Sequence, residues 1–346
     1  KEKIRAAGAI GILVNHLRAK RFGEERIAAD RVKAHAASAL AELAKGSSGA
    51  QAEIRKCEGI EALVEVAKVA SEVAKARAAA ALWQLSQPVD DEEGGGGGGG
   101  GGGKANGAAG GSGGAGADGG VGGGGPDGGG AAKASHNETI VQAGGIASMV
   151  NLAATCEEED GQMEAAGALA SLARGHDKNR KAIAEMLVKY LQESSADTRS
   201  RGKAARAISR FASAHVANQQ ALAAAGTVAL LVSQLEPQPY APSAGGVARA
   251  DRSSSREGDK DTPTFIHAFN MCEASAAVWS MARGHAANQQ NIAEEGGIPL
   301  LIGLLEDHPM IRREAAGALW SLSDSAANQE LIASSGGIPR LIKLLK

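Results

Sequence analysis

The stretch Asn288–Ala327, NQQNIAEEGGIPLLIGLLEDHPMIRREAAGALWSLSDSAA, restarts at Asn328 as NQELIASSGGIPRLI, a period of 40 residues. Nothing else in the chain restricts its fold as strongly. A period of that length, with helical spacing and no strand-like alternation, specifies a solenoid of stacked helical units. Asn288 is read as the N-cap of a short first helix that buries Ile292. Gly296-Gly297 stops that helix, because glycine takes the left-handed conformation without steric cost. Pro299 sits just inside a second helix, whose Leu300, Leu301, Leu304 and Leu305 share one stripe. Asp307-His308-Pro309 breaks it, and a third helix, from about Met310 to Ser323, buries Ala315, Ala318, Leu319 and Leu322. The small residues Ala315, Ala316 and Gly317 allow close helix approach. A single unit cannot cover its own apolar faces, so it needs neighbours.

A short helix, a Gly-Gly break, a Pro-led second helix and an Ala/Leu-rich third helix together resemble the armadillo repeat. The likeness is specific in Asn288–Ala327 and Asn328–Leu345, and extends with departures over most of the remaining chain. It implies an all-α fold, a right-handed α-solenoid of stacked three-helix armadillo repeats, about six plus a partial one.

Taken in order, the chain begins inside a repeat. KEKIRAAGAIGILVNHL matches the end of a first helix, a break at Gly8 and a second helix. A charged extension, RAKRFGEERIAADR, precedes the third. Repeat two starts near Gln51, with its break at Gly59. Residues 1–90 therefore form repeats one and two. Residues 91–133 form a Gly-rich insertion containing Gly94–Gly103; with no apolar face to bury, it is expected to be disordered. Residues 134–346 carry repeats three to seven. Repeat four, starting at Asn179, lacks the Gly-Gly break, so its first two helices are either merged or differently angled. Repeat five has Gly226 at its break, then a polar insertion at 237–263 expected to be a disordered loop, with the third helix resuming at Cys272. Since Lys346 falls before a third helix, the sequence reads as a piece of a longer protein or an incomplete gene model.

Composition excludes several classes. The 346 residues carry 48 glycines and a formal charge of −2, which argues against general nucleic-acid or anionic-membrane binding. Cys57, Cys156 and Cys272 fall in different repeats, so no disulfide framework is expected. No apolar run approaches the roughly 18 residues of a membrane span, and no signal-peptide pattern appears. The expected compartment is reducing: cytoplasm, nucleus or both. His176, His215 and His285 recur after third helices, but stacking spaces equivalent residues by roughly 8–10 Å. They are read as polar loop residues rather than metal ligands, which lie near about 2 Å. Ser321 and His308 lack a third orienting carboxylate. Glu157–Asp160, EEED, is an acidic loop without calcium-loop spacing. The glycine block lacks the strand and helix that frame a phosphate loop. No catalytic residue, cofactor or metal is expected.

The armadillo resemblance implies that third helices line a concave groove holding extended peptides. Importin-alpha-like members use a Trp four residues before an Asn in that helix. Here the Trp positions are Ser38, Ala80, Gly167, Arg206, Ala276 and Gly317, and the Asn positions are Glu42, Gln84, Ser171, Arg210, Ser280 and Ser321. No repeat has the pair, which disfavours a nuclear import receptor. Trp83, Trp279 and Trp320 nevertheless share one phase, each directly before an Asn position. Either they form an aromatic platform beside Gln84, Ser280 and Ser321, or they sit between adjacent third helices; one residue of phase decides. Arg206 and Arg210 would make the groove's middle basic and suit an acidic or phosphorylated peptide; solvated surface charge is the other reading. The expected function is a non-enzymatic, monomeric scaffold that binds a protein or peptide partner through Trp83, Gln84, Ser171, Arg206, Arg210, Trp279, Ser280, Trp320 and Ser321. The alternative is the substrate-recruiting region of a larger enzyme such as a ubiquitin ligase. A membrane-anchored adaptor would need lipidation signals at a true N-terminus, which Lys1 is not.

Overall fold

The computed structural model describes residues 1–19, 25–88, 135–193, 198–236 and 263–345, and these hold nineteen helices and no strand. The first unit is α1 (Glu2–Ala6), α2 (Ala9–Arg18) and α3 (Glu25–Ala44); the second is α4 (Ser48–Lys56), α5 (Gly59–Val69) and α6 (Glu72–Ser86). The third is α7 (His136–Gln142), α8 (Gly145–Thr155) and α9 (Glu159–Ala173). The fourth has only α10 (Asp177–Glu193) and α11 (Thr198–Ala214). The fifth is α12 (Val216–Ala224), α13 (Thr227–Ser233) and α14 (Pro263–Ala282); the sixth is α15 (Ala286–Glu294), α16 (Gly297–Leu304) and α17 (Pro309–Leu322). A partial unit, α18 (Ala326–Ser334) and α19 (Gly337–Lys343), follows.

Third helices pack side by side in one row, α3, α6, α9, α11, α14, α17, while the first and second helices form a layer behind them. One continuous apolar core runs between, from Ile10 and Val14 to Ile302 and Ile332. This is an α-solenoid.

The corner between first and second helices shows why the Gly-Gly pair recurs. Gly296 takes φ 79°, a left-handed conformation closed to most residues. A methyl on Gly297 would stand 2.8 Å from Cγ2 of Ile292 and 2.9 Å from its carbonyl oxygen, so only hydrogen lets α16 close over that buried isoleucine. The second unit departs from the expected break at Gly59: the left-handed residue is Glu58, at φ 55°, a conformation that costs a non-glycine residue roughly 1–2 kcal/mol. Arg18 of the preceding unit holds this corner, with Nη2 3.1 Å from the Cys57 carbonyl, 3.2 Å from the Glu58 carbonyl and 2.8 Å from the Glu58 carboxylate.

Asn288 is not an N-cap. His285 caps α15, its Nδ1 accepting from the Asn288 backbone N–H at 3.2 Å. Asn288 lies inside the helix, 1% exposed, and its Nδ2 donates to the Met281 carbonyl at 2.9 Å. Asn179, Asn218 and Asn328 donate likewise to Leu172, Phe211 and Leu322. Each asparagine thus satisfies an orphan carbonyl at the end of the preceding third helix and ties two units together. His215 caps α12 as His285 caps α15.

Other boundaries also differ. The merged alternative holds in the fourth unit, where α10 is one continuous helix. Helix α14 begins at Pro263, well before the expected Cys272. The expectation of disorder at 91–133 falls outside the described residues, as does that at 237–263 apart from the helical Pro263. The charged extension is partly helical, Arg18 ending α2 and Glu25–Arg31 opening α3. Leu301, Leu304 and Leu305 are buried as expected, whereas Leu300 is only half-buried.

Candidate interaction face

Each third helix leaves one stripe partly open. On α6 it is Ala80, Trp83 and Gln84; on α9, Glu164, Gly167 and Ala170; on α11, Arg206, Ser209 and Arg210. On α14 it is Glu273, Ala276, Trp279 and Ser280, and on α17, Ala316, Gly317 and Trp320. The spacing of three and four residues keeps each stripe on one side of its helix. Because the helices stand in a row, the stripes join into one face.

On this face two of the tryptophans pack between adjacent third helices and remain partly open. The Trp83 ring lies against Gly167 of the next third helix, and Trp279 lies against Gly317 in the same way. Both are half-buried between helices and still belong to the open stripe. Trp320 differs: it is 69% exposed, and among the described residues no third helix follows α17.

Of the nine residues singled out in the sequence, Ser171 and Ser321 lie beneath the face, both 5% exposed. The Ser171 hydroxyl accepts from Gln87 Nε2 at 2.6 Å, joining the second and third units. Gln84 stays partly open while its carbonyl accepts from Gln51 at 3.0 Å. Arg206 and Arg210 are neither a free basic patch nor solvated charges. Arg206 Nη2 lies 2.6 Å from Glu273 and Nη1 lies 3.5 Å from Glu159, with the guanidinium over the Phe269 ring at 5.0 Å. Burial opposes its charge, but the bond to Glu273 prevails and raises its pKa. Arg210 shares Glu159 at 3.5 Å, and burial and the neighbouring Arg206 lower its pKa.

The EEED run supplies this network. Glu157 pairs with the buried Lys203 at 2.6 Å, while Lys203 also donates to the Thr155 carbonyl. The run therefore clamps the third unit to the fourth rather than forming a plain acidic loop. The sequence could not show this, because the partners come from separate units. At the other end, a cavity of about 190 Å³ is lined by Ser209, Ser213, Ala276, Trp279, Ser280, Arg283 and Glu314. Ser209, Ser213 and Arg283 leave no signal in the sequence, because the cavity wall is assembled from three separate units.

Among the described residues, no cluster of three or more His, Cys, Asp or Glu side chains is placed to hold a metal ion. No single described helix is long and apolar enough to cross a membrane.

A family model described as the armadillo/beta-catenin-like repeat matches residues 285–324, which span α15, α16 and α17. That unit is the one whose helix order, corner and asparagine tie recur along the row. Residues 285–324 thus match an armadillo repeat. No curated protein matches the chain. Among solved structures, an engineered protein is 25% identical over 97% of this chain, with a TM-score of 0.49; this chain spans 64% of that protein's length. A designed armadillo repeat protein is 18% identical over 90% of this chain and 99% of its own, with a TM-score of 0.42. Another, in complex with the peptide (KR)4, shows the same identity and coverage at a TM-score of 0.45. The stripe residues just described form the candidate site.

Proposed function

We propose that this chain is a non-enzymatic armadillo scaffold that holds an extended segment of another protein along its third-helix face. The observation that carries the reading is the pair Trp83 and Trp279, two large indoles that stay partly open on one continuous third-helix face. An exposed amphipathic ring supplies contact area for little lost entropy, which is why Trp dominates many protein interfaces. An acidic or phosphorylated partner is supported by the exposed Arg174 and Arg283, neither paired with a carboxylate among the described residues, rather than by Arg206 and Arg210. Cys57, Cys156 and Cys272 are all unpaired, and burial pushes the thiols of Cys156 and Cys272 up to about 11. We place the chain, as a monomeric scaffold, in the cytoplasm or nucleus, where thiols stay reduced.

The test is selection of short linear peptides from a displayed library with the full chain. Trp320→Ala should weaken the selected peptides by about tenfold or more while the melting temperature is unchanged. Peptides that bind Trp320→Ala and Ala276→Arg as well as the parent would place the partner elsewhere.

A further inference from the structure

The cavity between α11, α14 and α17 carries more information than its size. We infer that it receives an acidic side chain, a carboxylate or a phosphate ester, from the peptide that the face holds; this rests on the scaffold reading above.

The walls supply donors. The Ser209 and Ser280 hydroxyls lie 2.8 Å apart, and the Ser213 hydroxyl lies 3.0 Å from Ser280 Oγ and 2.8 Å from the Ser209 carbonyl. Each hydroxyl has one proton and rotates freely. Ser213 donates to the Ser209 carbonyl, and Ser209 has two acceptors in reach, Ser280 Oγ and the Ala276 carbonyl at 3.3 Å; with Ser209 donating to Ser280, the Ser280 proton is left for an incoming acceptor. Arg283, one turn beyond Trp279 and exposed on the rim, has no ion pair among the described residues. Its fork of donors matches an anion. Among the described residues the one carboxylate in the wall, Glu314, is 6% exposed and already engaged by Arg313, whose Nε lies 2.8 Å away.

A lysine in this cavity would meet the like charge of Arg283 and a carboxylate already paired. An acidic side chain would instead take a charge-assisted bond from Arg283 and a hydroxyl bond from Ser280, with the Trp279 ring alongside. The observations therefore favour the acid.

The experiment arrays the peptides selected by the full chain, with every position replaced in turn by Glu, phosphoserine, Gln and Lys. One position should bind roughly tenfold better as Glu or phosphoserine than as Gln, with Lys weaker still. Comparing the Glu and phosphoserine arms tells carboxylate from phosphate. Arg283→Gln should erase that preference while leaving the Gln peptide's affinity unchanged, and Arg283→Lys should keep part of it. The arginine side chain is exposed, so the melting temperature should not move. Peptides that bind with no acid preference at any position would overturn the inference and leave the scaffold reading standing. So would a preference that survives both Arg283→Gln and Ser280→Ala. If no library peptide binds the full chain, the scaffold reading fails and takes this inference with it.

Discussion

The Trp279 indole lies so close to Gly317 that a methyl on Gly317 would stand 2.8–2.9 Å from its Cδ2, Cε2 and Cε3 atoms. Trp83 and Gly167 repeat the arrangement, with Cε2 at 2.8 Å. In both pairs the tryptophan of one unit is seated on the glycine of the next. The residue type at one position of the stripe therefore depends on its neighbour in space, not on its neighbour in sequence.

Gly317→Ala should accordingly destabilise the chain by about 1–3 kcal/mol, the usual penalty for overfilling a close contact. Gly303 is the control. It lies in α16 with nothing within 4 Å of where its methyl would go, so Gly303→Ala should be neutral or stabilising by about 0.5 kcal/mol. Thermal melts followed by circular dichroism compare the two; equal effects would mean that the Trp279 contact does not constrain Gly317.

The tryptophans themselves should separate in the same way. Trp279→Ala empties a half-buried interhelical contact and should cost about 2 kcal/mol. Trp320→Ala should fall within about 0.5 kcal/mol of the parent, since its ring is 69% exposed. Removing Trp320 should also shift the remaining indole emission to shorter wavelength, because the most solvated ring is lost. An unchanged spectrum would contradict its exposure.

The repeat, its corners and its core were legible in the sequence because they are periodic: Ile292, Leu301 and Leu319 face inward for the same reason in every unit. The asparagine tie was not. Asn288 sits near a helix start, where capping and inward donation call for the same residue, and only geometry shows that His285 already holds the cap. The start of α14 was hidden because Phe265 to Asn270 follows an insertion that masks the helical period. Arg206 and Arg210 looked free because Glu159 and Glu273 belong to other units. The Trp–Gly seat did leave a signal, a tryptophan in one third helix and a glycine three residues ahead of that phase in the next. Phase alone could not choose between face and contact, since Trp279 does both.

Asn288→Asp tests the tie directly. An N-cap would accept aspartate, and the helix dipole would favour it. Here the Nδ2 donor faces the Met281 carbonyl at 2.9 Å in a site that is 1% exposed, so aspartate sets acceptor against acceptor. A loss of about 2–3 kcal/mol is expected in denaturant melts. A neutral result would restore the capping role.

The inter-unit clamp should be uneven. Lys203 is 8% exposed at its side chain and pairs with Glu157 at 2.6 Å, so Glu157→Gln leaves a buried ammonium short of its counter-charge. Because Glu157 itself is 61% exposed, the expected loss is about 1–2 kcal/mol rather than the full buried-pair penalty. Glu159, 70% exposed and 3.5 Å from both arginines, should cost less than about 0.5 kcal/mol on conversion to Gln. Melts at low and high salt check the order, with the Glu159 effect fading as salt rises.

Glu164, on the α9 stripe, gives a dependence on pH. Its Oε2 is enclosed without a hydrogen-bond partner among the described residues, and burial pushes the carboxyl pKa up, with Asp160 adding to the rise and Arg77 opposing it. A carboxyl whose pKa is higher folded than unfolded weakens the fold when it ionises. The penalty is present above the folded pKa and is relieved as pH falls through it into the ordinary carboxylate range. Glu164→Gln removes the ionisation, so the variant should melt higher than the parent at neutral pH and the gap should narrow on acidification. Melting both proteins across that window decides the matter: a parent that is the more stable at neutral pH, or a gap that ignores pH, would mean the Glu164 carboxylate has a counter-charge on the face after all.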